Sequence, residues 1–277
     1  MIDVFAAIGL GFKIIPKVHP AEMEVWATLL TGVVAAWRWN LPRLQAICGG
    51  LLRLLVFLMA IGVLQYLAAV VPEGSADAAF DAMDRHLGFD WMAYYGWTVA
   101  HPGIASFLNT TYLLFGWEIP YVILLLGMIE PKRVGEFVTT LIVALVLTVP
   151  FLCLLPVSGP FVFYGHTDIP QAFYTEHYAA LRSGAMRAID LSDLRGIVSF
   201  PSFHASGALL CAFGVTGYRW VFWPMLALNA VVMVATPVMG GHYLVDIIGG
   251  FAVAGATAVT VRHFYGPRGP AKDAAAP

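Results

Sequence analysis

Long apolar stretches separated by short polar ones set the pattern of the chain. Residues 54–71, 104–128, 137–155, 199–218, 221–238 and 243–261 are each close to the ~20 apolar residues that a helix needs to cross a bilayer. The pattern predicts an all-α fold, a polytopic membrane helix bundle with about six core transmembrane helices. Residues 25–39 are apolar but shorter, and read either as an interfacial helix or as a seventh span. Residues 1–15, with Lys13 and Lys17 around Pro16, read as a segment along the membrane surface. Two larger polar loops interrupt the bundle. The first, residues 72–103, holds Glu73, Asp77, Asp81, Asp84 and Asp90 against a single Arg85. Its apolar spacing (Phe80, Met83, Leu87, Trp91) predicts an amphipathic helix on the bilayer, with the acids on a solvated face. The second covers residues 157–196. Residues 130–136, with Lys132 and Arg133, read as a tight connection. The predicted organisation is a membrane-associated segment at 1–43, a transmembrane domain at 44–265 and a disordered, Gly-, Pro- and Ala-rich tail at 266–277.

Composition supports the membrane reading. The chain is 60% hydrophobic and only 12% charged, too apolar for an ordinary soluble domain. A net charge of -2 points away from a nucleic-acid partner. Cys48, Cys153 and Cys211 all fall in apolar runs and read as packing residues. The N-terminus lacks the charged start and small-residue pattern of a cleavable signal peptide. Alternating the spans puts Arg38, Arg43, Arg53, Lys132, Arg133, Arg219, Arg262, Arg268 and Lys272 on one side. Arg85, Arg182, Arg187 and Arg195 fall on the other, with Lys13 and Lys17 undecided. The excess of Lys and Arg in short cytoplasmic loops then places the C-terminus inside.

The candidate chemistry lies between Gly196 and Gly250. GIVSFPSFHASGALL opens one apolar run and TPVMGGHYLVDIIGG opens another. Ionisable groups beside membrane spans are costly, so His204, His242 and Asp246 stand out. Pro201 suits the first turn of a helix, and Ser199 or Ser202 suits its cap. Such a helix start favours an anion such as phosphate. His242 and Asp246 are spaced i, i+4, so a helix puts the carboxylate where it can hold the imidazole in one tautomer. Gly240 and Gly241 would let backbone approach a ligand closely. By the topology above, both motifs sit at the extracytoplasmic face. Glu118, beside Pro120 in the span 104–128, is a headgroup or structural candidate.

SFPSFHA and GGHYLVD resemble the second and third signatures of the type-2 phosphatidic acid phosphatase superfamily. GIVSFPSFHA followed by GGHYLVDIIGG is similar, more narrowly, to its inositol phosphorylceramide synthase (aureobasidin-resistance) branch. Phe203 stands where the superfamily's PSGH has glycine. Ala235 and Thr236 stand where its third signature has Ser-Arg, and its first signature is not found. The resemblance implies a lipid phosphotransferase or lipid phosphate phosphatase. His242 would attack phosphorus and form a phosphohistidine, with Asp246 orienting it. His204 would protonate the leaving alcohol and later activate the acceptor, and Ser202 with nearby N–H groups would bind a phosphate oxygen. No metal or other cofactor is required.

The missing arginine must then come from elsewhere. Arg182 is the first choice and Arg187 the second, since a guanidinium suits phosphate. Either arginine could instead pair with Asp190 or Asp193. His166 and His177 read as structural residues or headgroup contacts. The expected partners are a phospholipid or sphingolipid substrate and the bilayer; no protein partner is indicated. The expected location is the bacterial inner membrane. An intramembrane metalloenzyme using the same His and Asp side chains, or a transporter or scaffold, remains the alternative.

Overall fold

The computed structural model describes residue 9 and residues 11–71, 74–197 and 200–265. The predicted tail at 266–277, the cap candidate Ser199 and Glu73 lie outside the described residues. In chain order the helices are α1 Pro20–Arg38, α2 Pro42–Ala69, α3 Asp77–His86, α4 Trp91–Ala100, α5 Pro102–Ile129 and α6 Pro131–Leu154. They continue with the single turn α7 Pro160–Phe163, α8 Thr175–Arg182, α9 Phe203–Gly214, α10 Arg219–Met239 and α11 Leu244–Tyr265. Proline opens α1, α2, α5, α6 and α7. Its fixed φ suits the first helical position, and its missing N–H leaves no donor unpaired there.

Helices α2, α5, α6, α10 and α11 are long and apolar enough to cross a membrane. The fold is the predicted all-α polytopic bundle, with three local corrections. The predicted span 199–218 forms a helix of only 12 residues, α9, about 18 Å long. It packs against α5, α6, α10 and α11, so protein rather than lipid surrounds it. Its length is therefore not tied to bilayer thickness. Second, the predicted connection at 130–136 is helical from Pro131 onward, so Glu130 alone joins α5 to α6. Third, the segment read as lying on the membrane surface contains a strand. Here β1, Lys13–Ile15, pairs in parallel with β2, Ala188–Asp190, in the register Ile14 to Ile189.

That pairing also orients α1. Its N-terminal end follows β1, which is fastened to the loop between α6 and α9. Its C-terminal end turns through Asn40 into the start of α2. The two ends of α1 thus lie at opposite ends of the bundle, as for a helix running alongside α2. With 19 residues and Glu22 and Glu24 in its first turns, α1 is not among the five helices named above.

Small residues bring the helices together. A Cβ added at Gly127 of α5 would lie 2.2 Å from Ile47 of α2, and one at Gly50 of α2 would lie 2.6 Å from Val134 of α6. Apolar lipid gives helices little hydrophobic reason to associate, so close packing at such positions carries the contact. Cys48 and Cys211 are buried among apolar neighbours, as predicted for packing residues. At the far end of α9, Arg133 Nη2 donates to the Gly214 carbonyl at 2.7 Å, a cation on a helix C-terminus. The opposite end gathers the C-termini of α2, α6 and α10 and the starts of α5, α9 and α11. The two polar loops close over that end.

Candidate active site

Two chain reversals build the site. Ser202 caps α9: its backbone is extended and its Oγ accepts from Ala205 N–H at 3.4 Å. Pro201 precedes this cap, through a cis peptide bond, rather than opening the helix. The second reversal joins α10 to α11. Gly241 has φ +65°, and a Cβ there would lie 2.4 Å from the Phe161 ring, so glycine meets both the backbone and the space requirement. The reversals are bonded to each other, with Ser202 N–H donating to the Asp246 carbonyl at 3.0 Å. Gly250 makes this possible: its Cβ would fall 2.4 Å from the Ser202 carbonyl oxygen.

The side chains follow from that frame. His242 Nδ1 lies 3.2 Å from Asp246 Oδ2, which also accepts Tyr243 N–H at 2.9 Å. Asp246 is fully buried. A carboxylate at Nδ1 holds the proton on that nitrogen and leaves Nε2 as the ring's acceptor. Nε2 lies 3.5 Å from Ser202 Oγ. His204 stacks on Tyr112, with ring centroids 4.4 Å apart, and its Nδ1 is 3.3 Å from the Tyr112 hydroxyl. The centroids of His204 and His242 are 6.3 Å apart.

Both histidines border one cavity of about 350 Å³. Tyr112, Tyr174, Gln65 and Arg195 add polar groups to its walls. Leu58, Ile61 and Gly62 of α2 and Leu145 of α6 form an apolar limb. Leu58 in this limb is 39% exposed. Leu58 lies 11 residues before the end of α2, about 17 Å below the site end.

The other sequence candidates fall elsewhere. Arg182 is not among the residues lining the cavity. Its guanidinium donates to the carbonyls of Gly74 at 2.6 Å and Ala69 at 3.4 Å, which fastens α8 to the end of α2. Arg187 lies over the Phe12 ring at 5.5 Å, also away from the cavity. His177 bonds the Tyr66 hydroxyl at 2.7 Å and Asp193 at 3.4 Å. Burial, then the neighbouring Arg195, lowers its pKa. His166 packs on Tyr95, with centroids 4.6 Å apart. The arginine that does line the cavity is Arg195. It pairs with Asp193 at 3.1 Å and donates to the Phe173 carbonyl. Ala235 and Thr236 are fully buried in α10.

The acidic run is not simply a solvated face. Asp77 and Asp84 of α3 are 2% and 1% exposed. Asp77 accepts from Ser158 N–H at 3.0 Å, Gly159 N–H at 2.9 Å and the Tyr243 hydroxyl at 3.1 Å. Asp84 accepts the first N–H groups of α11, Leu244 at 2.8 Å and Val245 at 3.0 Å. The predicted apolar stripe is also split: Phe80 and Trp91 are buried, whereas Met83 and Leu87 are exposed. Glu118 is buried and does not line this cavity. Among the described residues, no three His, Cys, Asp or Glu side chains are grouped as donors for a metal ion.

No curated protein and no solved structure matches the chain. The family model of the PAP2 superfamily matches residues 78–260, more than half of the sequence, and the range contains both histidines, Asp246 and the cap residue Ser202. On that match, this membrane-type helix bundle belongs to the PAP2 superfamily.

Proposed function

We propose that the protein transfers or hydrolyses the phosphoryl group of a membrane lipid through a phosphohistidine on His242. One observation carries this reading. Two imidazoles from separate helices border a single cavity, one of them held on a buried carboxylate. His242 Nε2 attacks phosphorus as the bond to the leaving oxygen breaks, and His204 gives that oxygen its proton. His204 then takes a proton from the acceptor, whose oxygen displaces the histidine nitrogen. Asp246 steadies the positive charge that His242 gains. Ser202 and the first N–H groups of α9 face the phosphate oxygens.

Arg195, rather than Arg182 or Arg187, supplies the guanidinium. In its pair with Asp193 the arginine side chain is 26% and the aspartate 52% exposed. Such pairs are worth about 0–1 kcal/mol, so a phosphate can displace it. The apolar limb accommodates an acyl chain beside α2 and α6. The end opposite the site carries Arg38, Arg43, Lys132, Arg133, Arg219 and Arg262, which by the charge rule is the cytoplasmic end. The site then acts at the extracytoplasmic face. An alcohol on a second lipid or inositol as acceptor gives a transferase similar to inositol phosphorylceramide synthase; water gives a phosphatase.

Rapid acid-free quenching of purified protein with a labelled lipid phosphate tests the scheme. The expected product is a phosphoenzyme that is stable to base and labile to acid. Its absence during steady turnover rejects the phosphohistidine. Adding inositol- or ceramide-bearing lipid separates transfer, which makes a new phosphorylated lipid, from release of free phosphate.

The limb yields its own test. A Cβ at Gly62 would already lie 3.1 Å from Leu194, so Gly62→Leu fills this passage. Its kcat/KM for a dioleoyl phosphate ester should fall about 10-fold, with the dioctanoyl analogue within about 2-fold of wild type. Equal losses on both substrates would place the acyl chain elsewhere.

A further inference from the structure

Asp84 belongs to a helix that the scheme above does not use, yet it grips the segment that carries His242. Three successive N–H groups follow that histidine, from Tyr243, Leu244 and Val245. The first bonds Asp246, and the next two bond the two oxygens of Asp84. Side chains normally cap a helix from the residue just before it. Here the acceptor comes from α3, 160 residues away in sequence. Asp77, two turns earlier on the same face of α3, holds the Tyr243 hydroxyl.

We propose that Asp84 is a positioning residue: as a carboxylate it fixes the start of α11, and so keeps His242 on Asp246 with Nε2 toward the cavity. This inference rests on His242 being the nucleophile.

The charge state of Asp84 matters to that role. Asp77, Asp81 and Arg85 accompany it on α3, Tyr164 faces them from the loop, and Tyr243 and His242 in the turn before α11, with Asp246 in its first turn, lie on the other side. Burial raises the Asp84 pKa to about 6, helped by the charges of Asp246 and Asp81 and opposed by the two N–H bonds. A protonated carboxyl turns an O–H toward one of those donors and loses that bond. The sign separates two outcomes. The folded state binds this proton more tightly than the unfolded chain, so this titration does not destabilise the fold as pH falls from 7 to 5. Activity, by contrast, is lost over the same range.

Full-length Asp84→Asn and Asp84→Glu, measured in mixed micelles between pH 5 and 8, test the proposal. For wild type, turnover should decline below about pH 6 while the thermal transition holds. Asp84→Asn at pH 7.5 should lose about 10-fold in kcat with KM within about 2-fold, and its acid limb should lose the contribution of one proton. Asp84→Glu should recover part of the loss. Wild-type kcat and acid limb in Asp84→Asn overturn the proposal. So does a loss that merely follows the folded fraction, with the acid limb unchanged. His242→Ala is run in parallel: if that variant turns over substrate, the histidine reading fails, whatever Asp84→Asn does.

Discussion

With His242 replaced by alanine, turnover of a lipid phosphate is expected to fall by at least about 10³-fold, because the proposed nucleophile is removed and the acceptor must attack unaided. The loss should be in kcat. On the proposed reading, substrate binding rests on Arg195, the α9 N-terminus and the apolar limb, all of which remain. The substitution also deprives buried Asp246 of its 3.2 Å contact. That costs about 1–3 kcal/mol of stability, so activity is compared per folded molecule after a thermal scan in detergent. A variant that stays folded and keeps more than a tenth of wild-type kcat would reject His242 as the attacking group.

The second large effect separates two arginines. Arg195→Ala should lower kcat/KM by about 10²-fold or more, since a charge-assisted contact to phosphate in a largely apolar cavity is lost. Arg182→Ala should leave kcat/KM within about 3-fold and instead lower the melting temperature. Its guanidinium holds the carbonyls of Ala69 and Gly74, and losing such bonds leaves acceptors unpaired. The reverse result, inactive Arg182→Ala beside active Arg195→Ala, would put the phosphate on the α8 side of the loop.

The difference between these arginines marks the limit of what the sequence made legible. Helix spans were readable because hydrocarbon demands length and apolarity residue by residue; the five long apolar helices each contain most of a predicted run, although α2 begins at Pro42, twelve residues before the run at 54–71. His242 and Asp246 were readable because an i, i+4 pair needs only local geometry. Ser202 and His204 were readable from cap chemistry and the adjacent apolar run. Arg182 and Arg195 sit in one loop, 13 positions apart, and only the path of that loop decides which faces the cavity. Asp77 and Asp84 read as solvated acids because their long-range partners, backbone N–H groups and for Asp77 also the Ser158 and Tyr243 hydroxyls, are far away in sequence and leave no mark in composition. The short α9 was overestimated for a related reason. Its enclosure by α5, α6, α10 and α11 removes the lipid constraint on which the span estimate rested.

The strand pair at the site end links distant parts of the molecule. Lys13–Ile15 braces Ala188–Asp190, and that stretch leads within a few residues to Leu194 and Arg195 on the cavity wall. A protein shortened to begin at Pro20 would retain each long hydrophobic rod and both imidazoles. It would nevertheless surrender the rail that sets the height of the Leu194–Arg195 stretch, so engineering at the amino terminus reaches the wall of the candidate site.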